Sequence, residues 1–190
     1  ELSRHKIDFD FVLNDDISDF TESRINAFFS TDHRLKDSEI SCSLKHYSVL
    51  ERIEEAGYSQ TLVFEDDVFL AENFDSMLEM ALRELQDKKP GYVVYLGNAG
   101  NKYVEPKRIR KGKVLYGAEA GRAMDSYLID SMAAVRRLNY LRRIKGTLPT
   151  GHMMNVVDDA VGHDRRAPGQ QRRVAPHRLP RLAHHGERPP

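Results

Sequence analysis

The stretch Thr61-Leu62-Val63-Phe64-Glu65-Asp66-Asp67-Val68-Phe69-Leu70 sets three consecutive acids into an apolar, strand-forming run. An isolated ionised carboxylate is costly to bury, so acids at the end of a hydrophobic strand usually face a cation or hydrogen-bond donors. Because side chains alternate along a strand, we expect Glu65 and Asp67 to share one face and Asp66 to point the other way. Two carboxylates on one face suit a hard divalent ion such as Mn²⁺ or Mg²⁺. An acidic turn in water explains the same residues, and spacing alone leaves both interpretations open.

Amphipathic helices are predicted on both sides of this strand. Before it, apolar residues follow helical spacing in a segment that Asp37 or Ser38 caps and Gly57 ends. After it, the same spacing predicts a second helix over residues 74–85, which ends before Pro90. The acidic run therefore lies on a strand between two helices.

Further strands are predicted along the chain. Alternating apolar residues over 6–13 predict a half-buried strand, and the continuous apolar run 92–96 predicts a strand buried on both faces. Short strands are predicted over 114–116 and 123–129, followed by an arginine-rich helix over 130–144. Strands that alternate with helices indicate an α/β sheet. Ligands of such sheets bind beyond the carboxyl ends of the strands, where the acidic run would lie.

Composition limits the classes of function. The chain has 190 residues, enough for one domain with a core, and its 29 Lys and Arg residues balance 29 Asp and Glu residues. No net field therefore favours nucleic acid, and any phosphate binding must be local. The single cysteine, Cys42, excludes an internal disulfide framework. We interpret it as a packed thiol rather than as a nucleophile, although His46 lies one helical turn away as a potential base.

The segment 158–190 differs from the rest of the chain in its residue usage. It contains no Lys, Ile, Phe, Tyr, Ser, Thr or Asn, and Arg, Pro, His, Ala and Gly dominate it. Such a segment has little apolar surface to bury, so we expect it to be poorly ordered. The abrupt change after Val157 is typical of a shifted reading frame or an unrelated fusion. We therefore predict a domain over 1–157 and an atypical tail over 158–190.

Two motifs resemble a known enzyme family. The segment Ser38-Glu39-Ile40-Ser41-Cys42-Ser43-Leu44-Lys45-His46-Tyr47, followed after a helix by Leu62-Val63-Phe64-Glu65-Asp66-Asp67-Val68, resembles the family 25 glycosyltransferases. That family includes bacterial lipooligosaccharide galactosyltransferases and is related to the collagen galactosyltransferases. Further matches are Tyr95-Leu96-Gly97, the region 117–128 with Tyr127, Leu148-Pro149 and His152-Met153-Met154-Asn155.

The resemblance implies an inverting sugar transferase with a GT-A-like, Rossmann-like nucleotide-diphospho-sugar transferase fold. Its expected donor is a UDP-sugar, with galactose as the sugar, and its expected cofactor is Mn²⁺ or Mg²⁺. By the family match, Glu65 and Asp67 would contact the metal or the diphosphate, and Asp66 and His46 would contact the donor. The metal would neutralise the charge that grows on the departing nucleoside diphosphate.

Inversion also requires a base that takes the proton from the acceptor hydroxyl. The candidates in this chain are Asp125, Asp158 and Asp159. Gly151 stands where relatives often carry an aspartate, which favours an alternative in which the chain is a catalytically weak or inactive nucleotide-sugar-binding relative.

The resemblance also leads to expectations about the ends of the chain, its partners and its location. The fold is expected to be incomplete at both ends, with the family's first strand missing before Glu1. The expected acceptor is a saccharide or a lipid-linked oligosaccharide, and no nucleic-acid partner is expected. With no visible export signal, we expect a cytoplasmic location, at the inner face of the membrane with peripheral association.

Overall fold

The computed structural model describes residues 2–5, 7–97, 104–118, 125–144 and 173–176, and all structural statements refer to these residues. The helices are α1 (Glu22–Asn26), α2 (Asp37–Ala56), α3 (Phe74–Gln86) and α4 (Ser131–Ile144). The strands are β1 (Gln60–Phe64), β2 (Val93–Tyr95), β3 (Leu115–Ala118), β4 (Ser126–Asp130) and β5 (Arg173–Pro176). The predicted α/β class is therefore confirmed.

The strands form one mixed sheet with the order β1-β4-β2-β5-β3. Strand β4 lies between β1 and β2 and is antiparallel to both, whereas β5 is parallel to β2 and antiparallel to β3. Strands β1 and β2 consequently run in the same direction. Their carboxyl ends meet the amino end of β4 at one edge of the sheet.

Helices cover both faces of the sheet. On one face, α2 and α4 pack against alternate sheet residues such as Val63, Tyr127 and Ile129. On the other face, Ala81 and Leu85 of α3 pack against residues of the opposite pleat, including Val94 and Leu128. Because successive strand residues face opposite ways, this layering requires apolar residues at consecutive positions, as the sequence predicted for the β2 region.

The predicted helix boundaries agree closely with the structure. Helix α2 begins at Asp37 with Lys36 at its N-cap, rather than the predicted Asp37 or Ser38, and Gly57 ends it in the left-handed region with φ 67°, which glycine adopts without a Cβ penalty. Helix α3 begins after Asn73, in agreement with the predicted start at residue 74. The Asp130 carboxylate accepts a hydrogen bond from the Ala133 backbone N–H and so caps α4. No helix of the described part of the chain is both long and apolar enough to cross a membrane.

The strand predicted over residues 6–13 is wrong for its described part, 7–13, which is irregular. The side chains of its alternating residues Phe9, Phe11 and Leu13 are 48%, 60% and 65% exposed. Alternation specifies a strand only where a neighbouring strand supplies hydrogen bonds, and no described strand pairs with this segment. The chain instead attaches at Asp15, whose carboxylate accepts two hydrogen bonds from Arg24 and whose carbonyl accepts one from Ser41.

Strand β5 comes from the segment that was predicted to be a poorly ordered tail. It pairs with β2 at Val94 and with the whole of β3, and so joins these two strands. Residues 173–176 were expected to be poorly ordered, yet they form a strand. Backbone hydrogen bonds can pair a strand that has little apolar side-chain surface. The rest of the segment 158–190 lies outside the described residues, and the division of the chain at residue 157 stays a prediction.

Candidate functional site

The acidic run lies at the sheet edge where β1 and β2 end. The Glu65 backbone N–H donates to the Asp125 carbonyl at 2.8 Å, and the Leu96 N–H donates to the Ser126 carbonyl at 2.9 Å. These two bonds hold the residues after β1 and β2 against the beginning of β4. The structure thus places Glu65 and Asp125 side by side at the carboxyl edge, which is the position expected for a ligand site in an α/β sheet.

The three acids of the run differ in their surroundings. Strand β1 ends at Phe64, so the alternation that was expected to pair Glu65 with Asp67 does not extend to the acids. Asp66 and Asp67 occupy a turn and are exposed. Glu65 is partly buried, with its side chain 37% exposed, and its Oε1 atom lies 3.4 Å from His46 Nε2 and 3.5 Å from Cys42 Sγ. The metal and donor roles of these acids stay predictions.

His46 connects Glu65 to the core of the protein. Its Nδ1 atom lies 3.1 Å from the Tyr127 hydroxyl, and both residues are buried, at 5% and 0% exposure. Burial raises the pKa of Tyr127, so its hydroxyl stays neutral at physiological pH. When the neutral imidazole donates a hydrogen bond from Nε2 to Glu65, its Nδ1 atom accepts a hydrogen bond from the Tyr127 hydroxyl. A hydrogen-bonded chain therefore links β4, α2 and the acidic run.

Cys42 completes this chain at its other end. Its thiol donates to Glu65 Oε1, and burial together with the neighbouring Glu65 charge raises the pKa of Cys42 to about 12. The thiolate that nucleophilic catalysis requires is therefore scarce at neutral pH. The structure favours the interpretation of Cys42 as a packed thiol. The sequence did not reveal that its partner is Glu65, although the spacing of Cys42 and His46 placed both on one face of α2.

Asp125 lies at the same edge and has an unusual environment. Its Oδ1 atom is buried and has no hydrogen-bond partner among the described residues, and its Oδ2 atom lies 3.4 Å from the Ser126 hydroxyl. A Cβ atom on Gly97 would stand 1.9 Å from Asp125 Oδ2, so this carboxylate fits against β2 only because residue 97 has no side chain. The residue pattern around Gly97 showed where the strand ends but carried no signal of this contact.

We predict that Gly97→Ala lowers the free energy of unfolding by about 1–3 kcal/mol, since the added methyl group must displace the Asp125 carboxylate. Urea denaturation measures this loss. In an Asp125→Ala background the methyl group meets no carboxylate and only the Ser126 hydroxyl stays close, at 2.8 Å, so the same glycine substitution is expected to cost less. Equal costs in the two backgrounds would contradict this account.

Two of the predicted base candidates, Asp158 and Asp159, lie outside the described residues, as do Gly151 and the His152 motif. The described candidate, Asp125, has one carboxylate oxygen buried, and its role as an acceptor base stays a prediction.

Comparison with known proteins adds to this geometry. The family model described as glycosyltransferase family 25 (LPS biosynthesis protein) matches residues 1–154. The chain belongs to glycosyltransferase family 25. The resemblance carried by the helix motif and the acidic strand is thereby confirmed.

Similar family 25 proteins include three mammalian proteins with closely related names. The chain is 29% identical over 126 residues to the bovine "Probable inactive glycosyltransferase 25 family member 3", which covers 66% of this chain and 21% of the relative. It is 30% identical over 123 residues to the human "Inactive glycosyltransferase 25 family member 3", and the match covers 64% of this chain and 20% of the relative. The mouse protein of that name is 29% identical over 125 residues, covering 65% and 20%. The chain thus spans about a fifth of the length of these relatives.

The structure explains why two family 25 motifs that are distant in sequence belong together. The α2 motif supplies Cys42 and His46, and the strand motif supplies Glu65, and their polar atoms meet at the sheet edge. Tyr127, from the matching region 117–128, closes the group from β4. The family resemblance therefore coincides with one contiguous cluster in space.

Proposed function

We propose that this family 25 chain binds a UDP-sugar, with galactose as the sugar, at the carboxyl edge of β1 and β2 and transfers the sugar to a saccharide acceptor with inversion. The observation that carries the proposal is that Asp66, Asp67 and Asp125 all lie where the end of β1 is bonded to the beginning of β4, and that Asp125 Oδ1 is buried there without a hydrogen-bond partner among the described residues. In addition, α/β sheets bind ligands at such an edge.

The residues at this edge fit a divalent cation. Mn²⁺ and Mg²⁺ prefer oxygen ligands, and two exposed carboxylates, Asp66 and Asp67, follow β1 directly. A buried oxygen without a hydrogen-bond partner, such as Asp125 Oδ1, is costly, and a cation bound at this edge would offset that cost. When bound, the cation would neutralise charge that develops on the departing diphosphate.

We assign separate tasks to the residues of the site. Asp67 holds the cation against the diphosphate, and Asp66 binds the sugar or the ribose of the donor. Glu65 as a ligand of the same cation stays a prediction, because its Oε1 atom already contacts Cys42 and His46. The His46 ring is buried behind the acidic run, where it orients Glu65, and its predicted contact with the donor stays a prediction.

A second function is favoured by the relatives, whose names describe them as inactive or probably inactive family 25 members. In this version the chain binds the UDP-sugar and transfers nothing. The two versions share the donor site and differ only in turnover. For the acceptor of the active version we propose a lipopolysaccharide-type saccharide or a lipid-linked oligosaccharide at the inner face of the cytoplasmic membrane, since the family description names LPS biosynthesis.

Calorimetric titration with UDP tests the shared donor site. We expect binding to the native chain to require Mn²⁺, and we expect Asp67→Ala to weaken it by at least about 10-fold because a ligand of the cation is lost. Glu55→Ala is the matched control, since Glu55 is an exposed acid near the end of α2, away from the edge. Binding that is independent of Mn²⁺, or equal in the native and Asp67→Ala chains, would contradict the proposal.

Turnover separates the two versions of the function. Release of UDP from UDP-galactose is measured with and without an oligosaccharide acceptor of the lipopolysaccharide type. Acceptor-dependent release that Asp67→Ala abolishes establishes the transferase. Mn²⁺-dependent UDP binding without any release establishes the binding relative.

A further inference from the structure

Cys42, His46 and Glu65 form a group with three different metal-binding side chains. Cys42 and His46 lie one turn apart on α2, and Glu65 follows β1. Their ligand atoms all lie within 4.8 Å of one another, and no other group of three such side chains is found in the part of the chain that the structure describes. Asp66 and Asp67 do not belong to this group, so it is distinct from the proposed cation site of the donor.

The two distances from Glu65 to the other members of the group match edges of a zinc tetrahedron. Zinc binds thiolate sulfur at about 2.3 Å, and imidazole nitrogen and carboxylate oxygen at about 2.0–2.2 Å. Tetrahedral angles then place nitrogen and oxygen about 3.4 Å apart, and sulfur and oxygen about 3.6 Å apart. The corresponding separations are 3.4 Å for His46 Nε2 to Glu65 Oε1 and 3.5 Å for Cys42 Sγ to Glu65 Oε1.

The surroundings of the group also suit a metal centre. The His46 Nδ1 atom faces the buried Tyr127 hydroxyl at 3.1 Å. When Nε2 binds a metal, Nδ1 carries the ring proton and donates it to this hydroxyl, an arrangement that orients metal-binding histidines. The His46 side chain is only 7% exposed, whereas that of Glu65 is 37% exposed. The group is therefore enclosed on the side of α2 and open at the sheet edge.

The charges and the types of the ligands together favour zinc as the ion. A thiolate and a carboxylate together carry two negative charges, which a single divalent cation neutralises at this partly buried place. Thiolate is a soft ligand that selects zinc over Mg²⁺ and Mn²⁺, and zinc accepts sulfur, nitrogen and oxygen ligands in one tetrahedral site. On binding, the S–H bond of Cys42 breaks, a zinc–sulfur bond forms and the proton passes to solvent.

We propose that Cys42, His46 and Glu65 form a zinc site whose fourth position opens at the carboxyl edge of the sheet. The ion ties the end of β1 to α2 and so fixes the position of the acidic turn. This site does not depend on the proposed sugar transfer, because the proposed donor site rests on Asp66 and Asp67, and a Glu65 that binds zinc does not bind the donor's cation.

Cobalt and zinc titrations of the full chain test the site. We expect one equivalent of Co²⁺ to produce a sulfur-to-cobalt charge-transfer band and tetrahedral d–d absorption, both of which Zn²⁺ abolishes. Cys42→Ser should remove the charge-transfer band, and Glu65→Gln should weaken Zn²⁺ binding, measured by competition with a chromogenic chelator, by about 10-fold or more. Asp67→Ala, which targets only the donor site, should leave both readouts unchanged.

Co²⁺ that binds to other histidines produces no sulfur-to-cobalt charge-transfer band. This band is therefore specific to Cys42, the only cysteine of the sequence. A native chain that shows no charge-transfer band at saturating Co²⁺ overturns the proposal. A second test uses the native chain alone and so involves no substitution. Zn²⁺ should protect Cys42 from alkylation. An alkylation rate that Zn²⁺ leaves unchanged overturns the site. UDP titrations with Mn²⁺ report on the donor site alone, so failure of one proposal is distinguishable from failure of the other.

Discussion

In metal-free native protein, Cys42 is expected to react roughly 30-fold more slowly with an aromatic disulfide reagent than the same cysteine does in urea-unfolded protein. The pKa of the thiol rises from an ordinary value of 9.0 to about 12, first because of burial and then because of the Glu65 charge. The thiolate fraction below pH 9 then falls by roughly 1,000-fold, while the greater nucleophilicity of a more basic thiolate recovers part of the loss. A chelator in the buffer keeps this measurement independent of any bound metal.

The pH dependence of the Cys42 reaction rate and the substitution Glu65→Gln test why this thiol reacts slowly. The native rate should continue to rise with pH toward pH 12, whereas the unfolded rate should level off above pH 9. Glu65→Gln removes the charge but little of the burial, so we expect partial acceleration in the native state. Equal rates in the native and unfolded chains would contradict the raised pKa of Cys42, and no effect of Glu65→Gln would show that the Glu65 charge does not act on this thiol.

The same pKa shift has a consequence for stability. A group whose pKa is raised on folding stabilises the native state below its unfolded pKa, and this contribution is lost as the pH rises through the folded pKa. For Cys42 the loss falls between pH 9.0 and about 12. Cys42→Ser should therefore flatten the decline of stability with pH in this window.

Leu44→Ala is expected to lower the free energy of unfolding by about 2–5 kcal/mol. Leu44 has 0% exposure and lies in the core between α2, α4 and the sheet, so its removal leaves a cavity among residues from several elements. Urea denaturation monitored by circular dichroism measures the change. A loss of this size would be a large part of the stability of a small domain.

Leu13→Ala removes the same atoms from a side chain that is 65% exposed, and it is the matched control. We expect a change within about 0.5 kcal/mol. If Leu13→Ala were as costly as Leu44→Ala, the irregular segment 7–13 would have to be packed against apolar surface, and the description of its exposed side chains would be wrong.

The elements that the sequence predicted correctly share a local cause. The apolar spacing of α2 and α3, together with Gly57 at the end of α2, correctly indicated helices, because helical hydrogen bonds join residues that are close in sequence. The apolar runs at β1 and β2 indicated strands for a similar reason. The strand predicted over residues 6–13 failed because a strand also needs a partner, and alternation does not reveal whether one exists.

The site was predicted only in outline. The acidic run stood out because three acids follow an apolar strand, and its position at the sheet edge follows from the fold class. That Glu65 turns toward Cys42 and His46, while Asp67 stays exposed, depends on where β1 ends. The close fit of Asp125 against Gly97 depends on the pairing of β4, and neither arrangement follows from residue spacing.

The sequence by itself determined the family, the α/β class, the helices on both sides of β1 and the position of the acids at the end of that strand. Each of these depends on residues within one or two turns or on motifs that are contiguous in the chain. Only the tertiary structure decided that β4 inserts between β1 and β2, that residues 173–176 join the sheet, and that Cys42, His46, Glu65 and Tyr127 meet. These are contacts between distant segments, and they are set by competition among all possible strand pairings and packings, which no local pattern records.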